Sequence, residues 1–146
     1  METNKYVDFV DVWNQIEGAS SDFFYAKLME IGLHRGQPKM LRFLGEHDGC
    51  RQKEIADHFF LRAASVSGVL ATLEKQGLIT RKMNPKSRRE TLVYLTDAGK
   101  EKLVQVERFY KEIDREWFRE FSEEEYMQLM GLLRKLRGSL EKLGGK

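Results

Sequence analysis

The sequence predicts a mainly α-helical protein that carries one small β-hairpin. Apolar residues recur at helical spacing through most of the 146 residues, which is the pattern of amphipathic helices. Two short β-prone runs flank a basic segment in the middle of the chain, and this arrangement indicates a single hairpin. The sequence has only two prolines, and its length suits about one domain with its own core.

The composition excludes several other classes of protein. No apolar stretch approaches the roughly 18 residues that cross a bilayer, so we expect no membrane partner. A single cysteine, Cys50, rules out an internal disulfide and a multi-cysteine zinc site. The first residues lack the basic and apolar segments of a secretory signal, which favours a cytoplasmic protein. With no phosphate loop, nucleophile elbow or paired carboxylates, we expect no enzyme activity and no cofactor.

The first two helices are predicted from their apolar spacing and from the signals at their ends. One long amphipathic helix is expected from Tyr6 to Ile31, and Gly32 ends it. The second helix starts within residues 34–38, because proline at Pro38 is tolerated only in a first turn. The Asp48-Gly49 pair then predicts a turn.

The central part of the chain predicts two short helices followed by the hairpin. The third helix is expected from Arg51 to His58, and the fourth from Arg62 to Gln76. Gly77 is placed to end the fourth helix. The β-prone runs are residues 78–81 and 91–95, and the basic segment between them is interpreted as a long loop.

Two further helices complete the chain. Thr96 is placed to cap the fifth helix, and the capping box of residues 122–125 starts the sixth. These helices and the first carry more apolar surface than one small module buries, so we expect a homodimer. The alternative is a monomeric six-helix bundle. The predicted division is residues 1–33 and 101–146 for dimerisation, with residues 34–100 as the module between them.

Positive charge is concentrated in the middle of the chain. Residues 51–100 carry 10 Lys or Arg and 5 Asp or Glu, whereas residues 1–50 carry 5 and 8. The excess peaks at residues 81–89, which hold five positive side chains and no negative one. Such a segment attracts polyanions, because each Lys or Arg that neutralises a phosphate releases condensed counterions.

Two short helices followed by a basic hairpin are typical of a winged helix-turn-helix. An α-helix fits the major groove of DNA, and a narrow basic loop can enter the adjacent minor groove. Opposite its apolar stripe, the fourth helix carries small and hydroxyl residues, which let its backbone approach base edges. The residues expected to contact DNA are Arg62, Ala64, Ser65, Ser67, Gly68, Thr72, Lys75, Arg81, Lys82, Lys86, Arg88 and Arg89.

Five segments carry a family resemblance. They are Gln52–Ala56, Ala64–Ser67, Leu73–Arg81, Arg88-Arg89 and Val93–Gly99. In this order and spacing they resemble the MarR family of dimeric bacterial transcriptional regulators. The resemblance implies that residues 62–76 form the recognition helix and residues 81–90 the wing, whose Arg89 enters the minor groove. It also implies that the outer helices interlock about a two-fold axis, which sets two recognition helices about one DNA turn (~34 Å) apart on a palindromic operator.

The sequence departs from the family pattern in the wing and in the recognition helix. Asn84 and Ser87 stand where the family usually has acids, one of which commonly pairs with the wing arginine. We therefore expect Arg89 to be less fixed and the wing to be more mobile and more positive. Gly68 replaces a residue that is often arginine, which favours A·T-rich recognition assisted by DNA shape.

These observations predict a homodimeric, sequence-specific regulator of transcription that binds double-stranded DNA. We expect a repressor whose DNA affinity is lowered by a small aromatic or anionic effector. Effector candidates are His34, Arg35 and Trp13, since the family binds such ligands near the start of the second helix; ordinary surface and core roles are the alternative. The competing function is a winged-helix protein-interaction module without DNA binding, a class that generally lacks the basic wing. The operator, the regulated genes and the effector stay open.

A lone cysteine and three histidines invite other functions. One branch of the family senses peroxide through a cysteine near the start of the first helix, but Cys50 lies between the second and third helices. We therefore interpret Cys50 as a small apolar filler. The histidines lie in three separate segments without the spacing of metal ligands, so no metal site is expected.

Overall fold

The computed structural model describes residues 4–144 and contains six α-helices and one small sheet in that range. This confirms the predicted class. The helices are α1 (Lys5–Glu30), α2 (Gln37–Glu46), α3 (Gln52–Phe59), α4 (Ala63–Lys75), α5 (Asp97–Trp117) and α6 (Glu123–Leu143), and the strands are β1 (Cys50–Arg51), β2 (Ile79–Asn84) and β3 (Ser87–Leu95). None of the described helices has a stretch long and apolar enough to cross a membrane.

Side-chain caps and glycines set the helix ends close to their predicted positions. The hydroxyl of Ser122 accepts a hydrogen bond from the backbone N–H of Glu125 at 3.1 Å, and the Glu125 carboxylate accepts one in return at 3.0 Å. This is the predicted capping box of α6. Thr96 caps α5 by accepting the N–H of Gly99 at 3.0 Å. Gly77 follows α4 with a φ of 76°, which glycine adopts without strain.

The three strands form an antiparallel sheet in the order β1-β3-β2. The predicted long loop is wrong: β2 extends to Asn84 and β3 begins at Ser87, so only two residues form the turn. Oδ1 of Asn84 accepts the backbone N–H of Lys86 at 3.0 Å, which stabilises a tight turn around Pro85. The basic side chains therefore lie on paired strands rather than in an open loop. The two-residue strand β1 was not predicted, because it is too short for a sequence pattern.

The chain divides into two compact units, Met1–Tyr110 and Lys111–Lys146. The core of the first unit is formed by fully or almost fully buried apolar side chains from α2, α3, α4 and the sheet. These include Leu41, Leu44, Ile55, Val66, Leu70, Leu73, Ile79 and Val93. Burial of each such side chain contributes roughly 1.5–3 kcal/mol to folding, so the core fixes which face of α4 remains outside.

The second unit contains the end of α5 and the whole of α6. Among its described residues, none of those in α6 is buried, and Leu132 is 67% exposed. Phe118 makes edge contacts with Phe121 and Tyr126 at the turn between the helices. The sixth helix thus carries exposed apolar side chains, such as Met127 and Leu140.

Candidate nucleic-acid interface

The fourth helix presents the small-residue face that the sequence predicts. Val66, Leu70 and Leu73 are fully buried against the core, which turns the opposite side of α4 outward. The exposed residues of this side are Ala64, Ser65, Gly68, Ala71, Thr72 and Lys75, with Arg62 exposed just before the helix. A Cβ added at Gly68 would meet nothing within 4 Å, so the backbone of α4 is open to approach at this point.

The side chain of Arg81, a residue of β2, bonds to two residues of α4. Its Nη1 donates to the hydroxyl of Ser67 at 3.2 Å, and its Nη2 lies 3.3 Å from a carboxylate oxygen of Glu74. The Arg81 side chain is only 20% exposed. Arg81 and Ser67 are both predicted to contact DNA, and in the structure they are hydrogen-bonded to each other. Arg81 therefore fixes the hairpin against the recognition helix, whereas a direct contact of Arg81 with DNA stays a prediction.

A buried glutamine anchors the C-terminal half of α4 from behind. Gln37 is fully buried, and its Nε2 donates to the hydroxyl of Thr72 and to Oε1 of Gln76, both at 2.8 Å. Its Oε1 accepts the backbone N–H of His34 at 2.7 Å. The hydroxyl of Thr72 in turn donates to the carbonyl of Val69. The Thr72 hydroxyl is thus engaged inside the protein, while its residue remains on the exposed face.

Sequence reasoning missed Gln37. A polar residue in the first turn of a helix is normally solvated, and its partners lie 35 and 39 positions away in the chain. No local pattern signals such a contact.

Apart from Arg81, the cations of the hairpin are exposed and mostly unpaired. Within residues 4–144, the side chains of Lys86, Arg88 and Arg89 make no hydrogen bond or ion pair with the protein. The ammonium group of Lys82 lies 5.5 Å from the centre of the Tyr94 ring. Arg89 has no acidic partner, as the sequence led us to expect. These cations are therefore available to phosphates.

A bulge places the two arginines on β3. Met83 pairs with Thr91 whereas the next residue, Asn84, pairs with Ser87, so residues 88–90 have no counterpart on β2. We call this segment, Arg88 to Glu90, the arginine bulge. Bulges re-aim side chains and interrupt pairing, and this one leaves two exposed arginines without partners on β2 next to the turn.

The end of the arginine bulge is fixed through Glu90. One carboxylate oxygen accepts Nδ2 of Asn84 at 2.9 Å, and the other accepts Nη1 of Arg51 at 3.2 Å. Both contacts lower the pKa of Glu90 below its usual value, with the Asn84 hydrogen bond as the larger cause. Asn84 donates a hydrogen bond at a position where an acid would accept one, and the expected greater mobility of the wing stays a prediction.

The effector candidates lie in the first unit but do not form one cluster of contacts. The guanidinium of Arg35 lies 5.0 Å from the centre of the Tyr25 ring. Trp13 is 44% exposed on α1 and donates to Glu17. In the described part of the chain, no hydrogen bond, ring contact or ion pair joins Trp13 to His34 or Arg35. Their role in binding an effector stays a prediction.

An open cleft that the sequence did not indicate lies beside α2. It has a volume of about 380 Å³ and is lined by Lys39, Phe43, His58 and Tyr110, among others. Burial raises the pKa of Tyr110 to about 12, so its hydroxyl remains a neutral donor at physiological pH. The cleft combines aromatic rings with cationic side chains.

Cys50 is half-buried on β1, where it pairs with Val93. Burial, with a smaller contribution from Glu54, raises the pKa of the Cys50 thiol to about 11. The thiolate is the reactive form of cysteine, so this environment supports the interpretation of Cys50 as a filler. No group of three potential metal-ligating side chains occurs in residues 4–144.

Comparison with known proteins identifies the family. Residues 33–91, from the start of α2 to the arginine bulge, match the MarR family. A probable transcriptional regulator from Pseudomonas aeruginosa, known from a crystal structure, is 32% identical, with 84% of this chain and 95% of that chain covered and a TM-score of 0.72. The chain belongs to the MarR family.

Two further similarities are consistent with this membership. The HTH-type transcriptional regulator YdcH of Bacillus subtilis is 39% identical over 67 residues, which are 46% of each chain, so the match spans about half of that relative. The structure of S. aureus MepR in complex with DNA has a TM-score of 0.81 at 24% identity and covers 94% of this chain and 99% of that chain. The latter shows a shared fold.

Family membership settles the general class of the protein. It is a transcriptional regulator with the winged helix-turn-helix fold of the MarR family, as the sequence predicts. Members of this family are DNA-binding proteins without enzymatic activity. The small antiparallel sheet with its β2–β3 hairpin forms the wing, and the assignment of α4 as the recognition helix stays a prediction.

Proposed function

We propose that this MarR family member is a homodimeric repressor that binds a palindromic DNA operator in the cytoplasm. The observation that carries the proposal is the pairing of two surfaces. The exposed, small-residue face of α4 suits the major groove, and the unpaired cations of the adjacent hairpin suit the phosphate backbone and the minor groove. Residues 34–100 form the DNA-binding part, and residues 1–33 and 101–146 serve dimerisation.

The experiment that tests DNA binding begins with selection of bound duplexes from a random pool by the purified chain. Recovered duplexes should share a palindrome whose half-sites are about one helical turn apart. Binding of a recovered duplex should weaken steeply with salt. Replacing Arg88 and Arg89 together by alanine should reduce the slope of log K against log salt by about 1.8, because each phosphate contact contributes about 0.9.

A salt-independent affinity, or a pool from which no duplex is enriched, contradicts this function. Expression of a reporter behind the recovered operator then distinguishes a repressor from an activator. For a repressor, deletion of the gene raises reporter expression, whereas for an activator the deletion lowers it.

The dimer is supported by apolar residues that the single chain leaves exposed at both ends. On α1 these are Tyr6, Val7, Phe9, Val12, Trp13 and Ile16, and on α6 they are Met127, Leu132, Leu140 and Leu143. This number of exposed large apolar side chains on two helices favours an interaction site. Sedimentation equilibrium should give twice the mass of the chain. Deletion of residues 123–146 should yield aggregated or unfolded protein, and a soluble, folded monomer from this deletion would contradict the dimer.

The proposed effector is a small aromatic or anionic molecule that lowers DNA affinity. Arg35 suits a carboxylate and stands with His34 in the segment that Gln37 links to the recognition helix. Titration of the DNA complex with benzoate, as a simple aromatic carboxylate, should release the duplex. Arg35→Ala should abolish this response if the effector binds beside α1, whereas Lys39→Ala should abolish it if the cleft at Phe43 is the site. No response to benzoate or to other aromatic carboxylates would contradict this part of the proposal.

A further inference from the structure

The hairpin contains one acidic residue in a region otherwise built from cations. Between Ile79 and Leu95 the sequence has five Lys or Arg, and Glu90 is the only Asp or Glu. A carboxylate at a phosphate-binding surface repels the ligand and cancels part of the charge that attracts it. Glu90 therefore weakens binding unless its contacts contribute something that outweighs this repulsion.

Those contacts connect three separate segments. The carboxylate of Glu90 accepts Asn84 from the turn of the hairpin and Arg51 from the residue before α3. Glu90 is the last residue of the arginine bulge, so the bulge is fixed at this end to α3. An open cleft of about 420 Å³ lies at this junction and is lined by Arg51, Ala63, Arg89 and Glu90, among others. The junction sets where the bulge stands relative to the start of α4.

The chemistry at position 84 matches this role. The amide of Asn84 donates from its nitrogen to Glu90 and accepts the N–H of Lys86 with its oxygen. An aspartate at position 84 could accept from Lys86 but would face the Glu90 carboxylate with a like charge. Asn84 therefore complements Glu90 as a donor in a way that an acid does not.

We propose that Glu90 is a positioning residue for DNA binding, which holds the arginine bulge so that the guanidinium groups of Arg88 and Arg89 reach the DNA together with α4. This inference rests on the proposed function. Arg51 acts through Glu90: it anchors the carboxylate and neutralises its charge, and it does not contact phosphate itself. The arginines stay free of protein partners because the only acid of the hairpin is engaged elsewhere.

The sign of the Glu90→Ala effect separates this role from a simple charge effect. Removal of an acid from a DNA-binding surface raises affinity if the acid acts only through its charge. A positioning role predicts the opposite: the affinity for a duplex recovered in the selection should fall about five- to tenfold, the effect of one lost hydrogen-bonded contact. Asp57→Ala is the matched control, since Asp57 is an exposed acid of the same unit paired only with Lys53. It should leave affinity unchanged or slightly raised.

Exchange of the amide and the carboxylate between positions 84 and 90 tests the positioning role without a change in net charge. Asn84→Asp alone should weaken binding, because it places two carboxylates together. The double variant Asn84→Asp/Glu90→Gln restores an amide–carboxylate pair with the charges of the original protein, and it should recover most of the affinity. Arg51→Ala added to Glu90→Ala should cause no further loss and no change in the salt slope. A further loss with a slope reduced by about 0.9 would instead show that Arg51 contacts phosphate.

The outcomes distinguish failure of this inference from failure of the proposed function. If the original chain enriches no duplex, the proposed function fails. If it binds DNA with a steep salt dependence while Glu90→Ala binds equally or more tightly, the positioning role of Glu90 is overturned. The variants should melt close to the original protein, because exposed ion pairs contribute little to stability. Should Glu90→Ala nevertheless fail to fold, Glu90→Gln and the double exchange decide the question.

Discussion

The recognition helix and the arginine bulge are held to the protein in contrasting ways. Behind α4, a fully buried Gln37 and a largely buried Arg81 bond to Thr72, Gln76 and Ser67. The arginine bulge has a side-chain contact at only one of its three residues, and its two arginines contact no other side chain through hydrogen bonds or ion pairs in the described range.

This difference matches what the proposed function requires of the two regions. Base edges are read at fixed positions, so a helix that enters the major groove has to keep its rotation and depth. Phosphates are read mainly through charge, and a long cation that is free to adjust serves this purpose. The buried side-chain hydrogen bonds thus lie behind α4, whereas Lys86, Arg88 and Arg89 of the wing have no hydrogen-bond or ion-pair partner for their side chains in residues 4–144.

The largest expected effect is on the alkylation rate of Cys50 in β1, the strand that ends at Arg51 and so lies next to the arginine bulge. Because the pKa of Cys50 is raised from 9.0 to about 11, its thiolate fraction at pH 8 is about a hundredfold lower in the folded protein than in the unfolded chain. Iodoacetamide should alkylate the folded protein at least about tenfold more slowly than the protein in urea, because the greater nucleophilicity of a more basic thiolate offsets only part of the lower thiolate fraction. The rate should still rise about tenfold per pH unit between pH 8 and 10. Equal rates in both states would show that β1 is open.

The second largest expected effect is the loss of stability when Gln37, the buried residue that bonds to α4, is replaced. Gln37→Leu removes three hydrogen bonds at a fully buried site, and we expect the free energy of unfolding to fall by about 2–3 kcal/mol. Urea denaturation measures this change. Gln105→Leu, at an exposed position of α5, is the control and should change stability by less than about 0.5 kcal/mol. A stable Gln37→Leu variant would mean that the core alone fixes α4.

A matched pair of arginine substitutions gives the most direct contrast. Arg81→Met should lower the free energy of unfolding by about 1–2 kcal/mol, because it breaks partly buried charged hydrogen bonds. Arg89→Met should leave stability unchanged and reduce the salt slope of DNA binding by about 0.9. Thermal melts and salt titrations of both variants provide the test. The contrast fails if both substitutions change the same quantity.

The smallest effect is expected on the open face of α4. Gly68→Ala should raise the free energy of unfolding by about 0.5–1 kcal/mol, since alanine is the better helix former and its Cβ meets nothing within 4 Å. Chemical denaturation measures this gain. Gly131→Ala in α6, where the Cβ also meets nothing within the chain, is the control for helix propensity, and sedimentation shows whether it keeps the oligomeric state of the original protein. A loss of DNA affinity in Gly68→Ala, but not in the control, would indicate close approach of the DNA at this position.

The sequence predicted much of this fold because its signals are local. The caps at Thr96 and Ser122 and the stop at Gly77 lie next to the elements that they delimit, and the exposed face of α4 follows from the spacing of its apolar residues. The hairpin turn was misjudged, since its compactness depends on one side-chain contact from Asn84.

The contacts that the sequence did not reveal join residues far apart in the chain. Gln37 reaches a residue 35 positions away, and Arg51 reaches Glu90 across 39 positions. Hydrophobic periodicity carries no information about such pairs, because a polar residue fits the pattern equally well whether it is solvated or bonded. The partners of Arg81 inside the protein were hidden for the same reason: its charge is visible in the sequence, and its three-dimensional neighbours are not.

The complementary amide and carboxylate at positions 84 and 90 should restrict how these two positions evolve. A single change of Asn84 to aspartate, or of Glu90 to a residue without an acceptor, leaves the other partner mismatched. Relatives that keep this geometry should therefore exchange the two residues together rather than one at a time. Correlated substitutions at these two positions in an alignment of relatives would show that the contact is conserved in evolution.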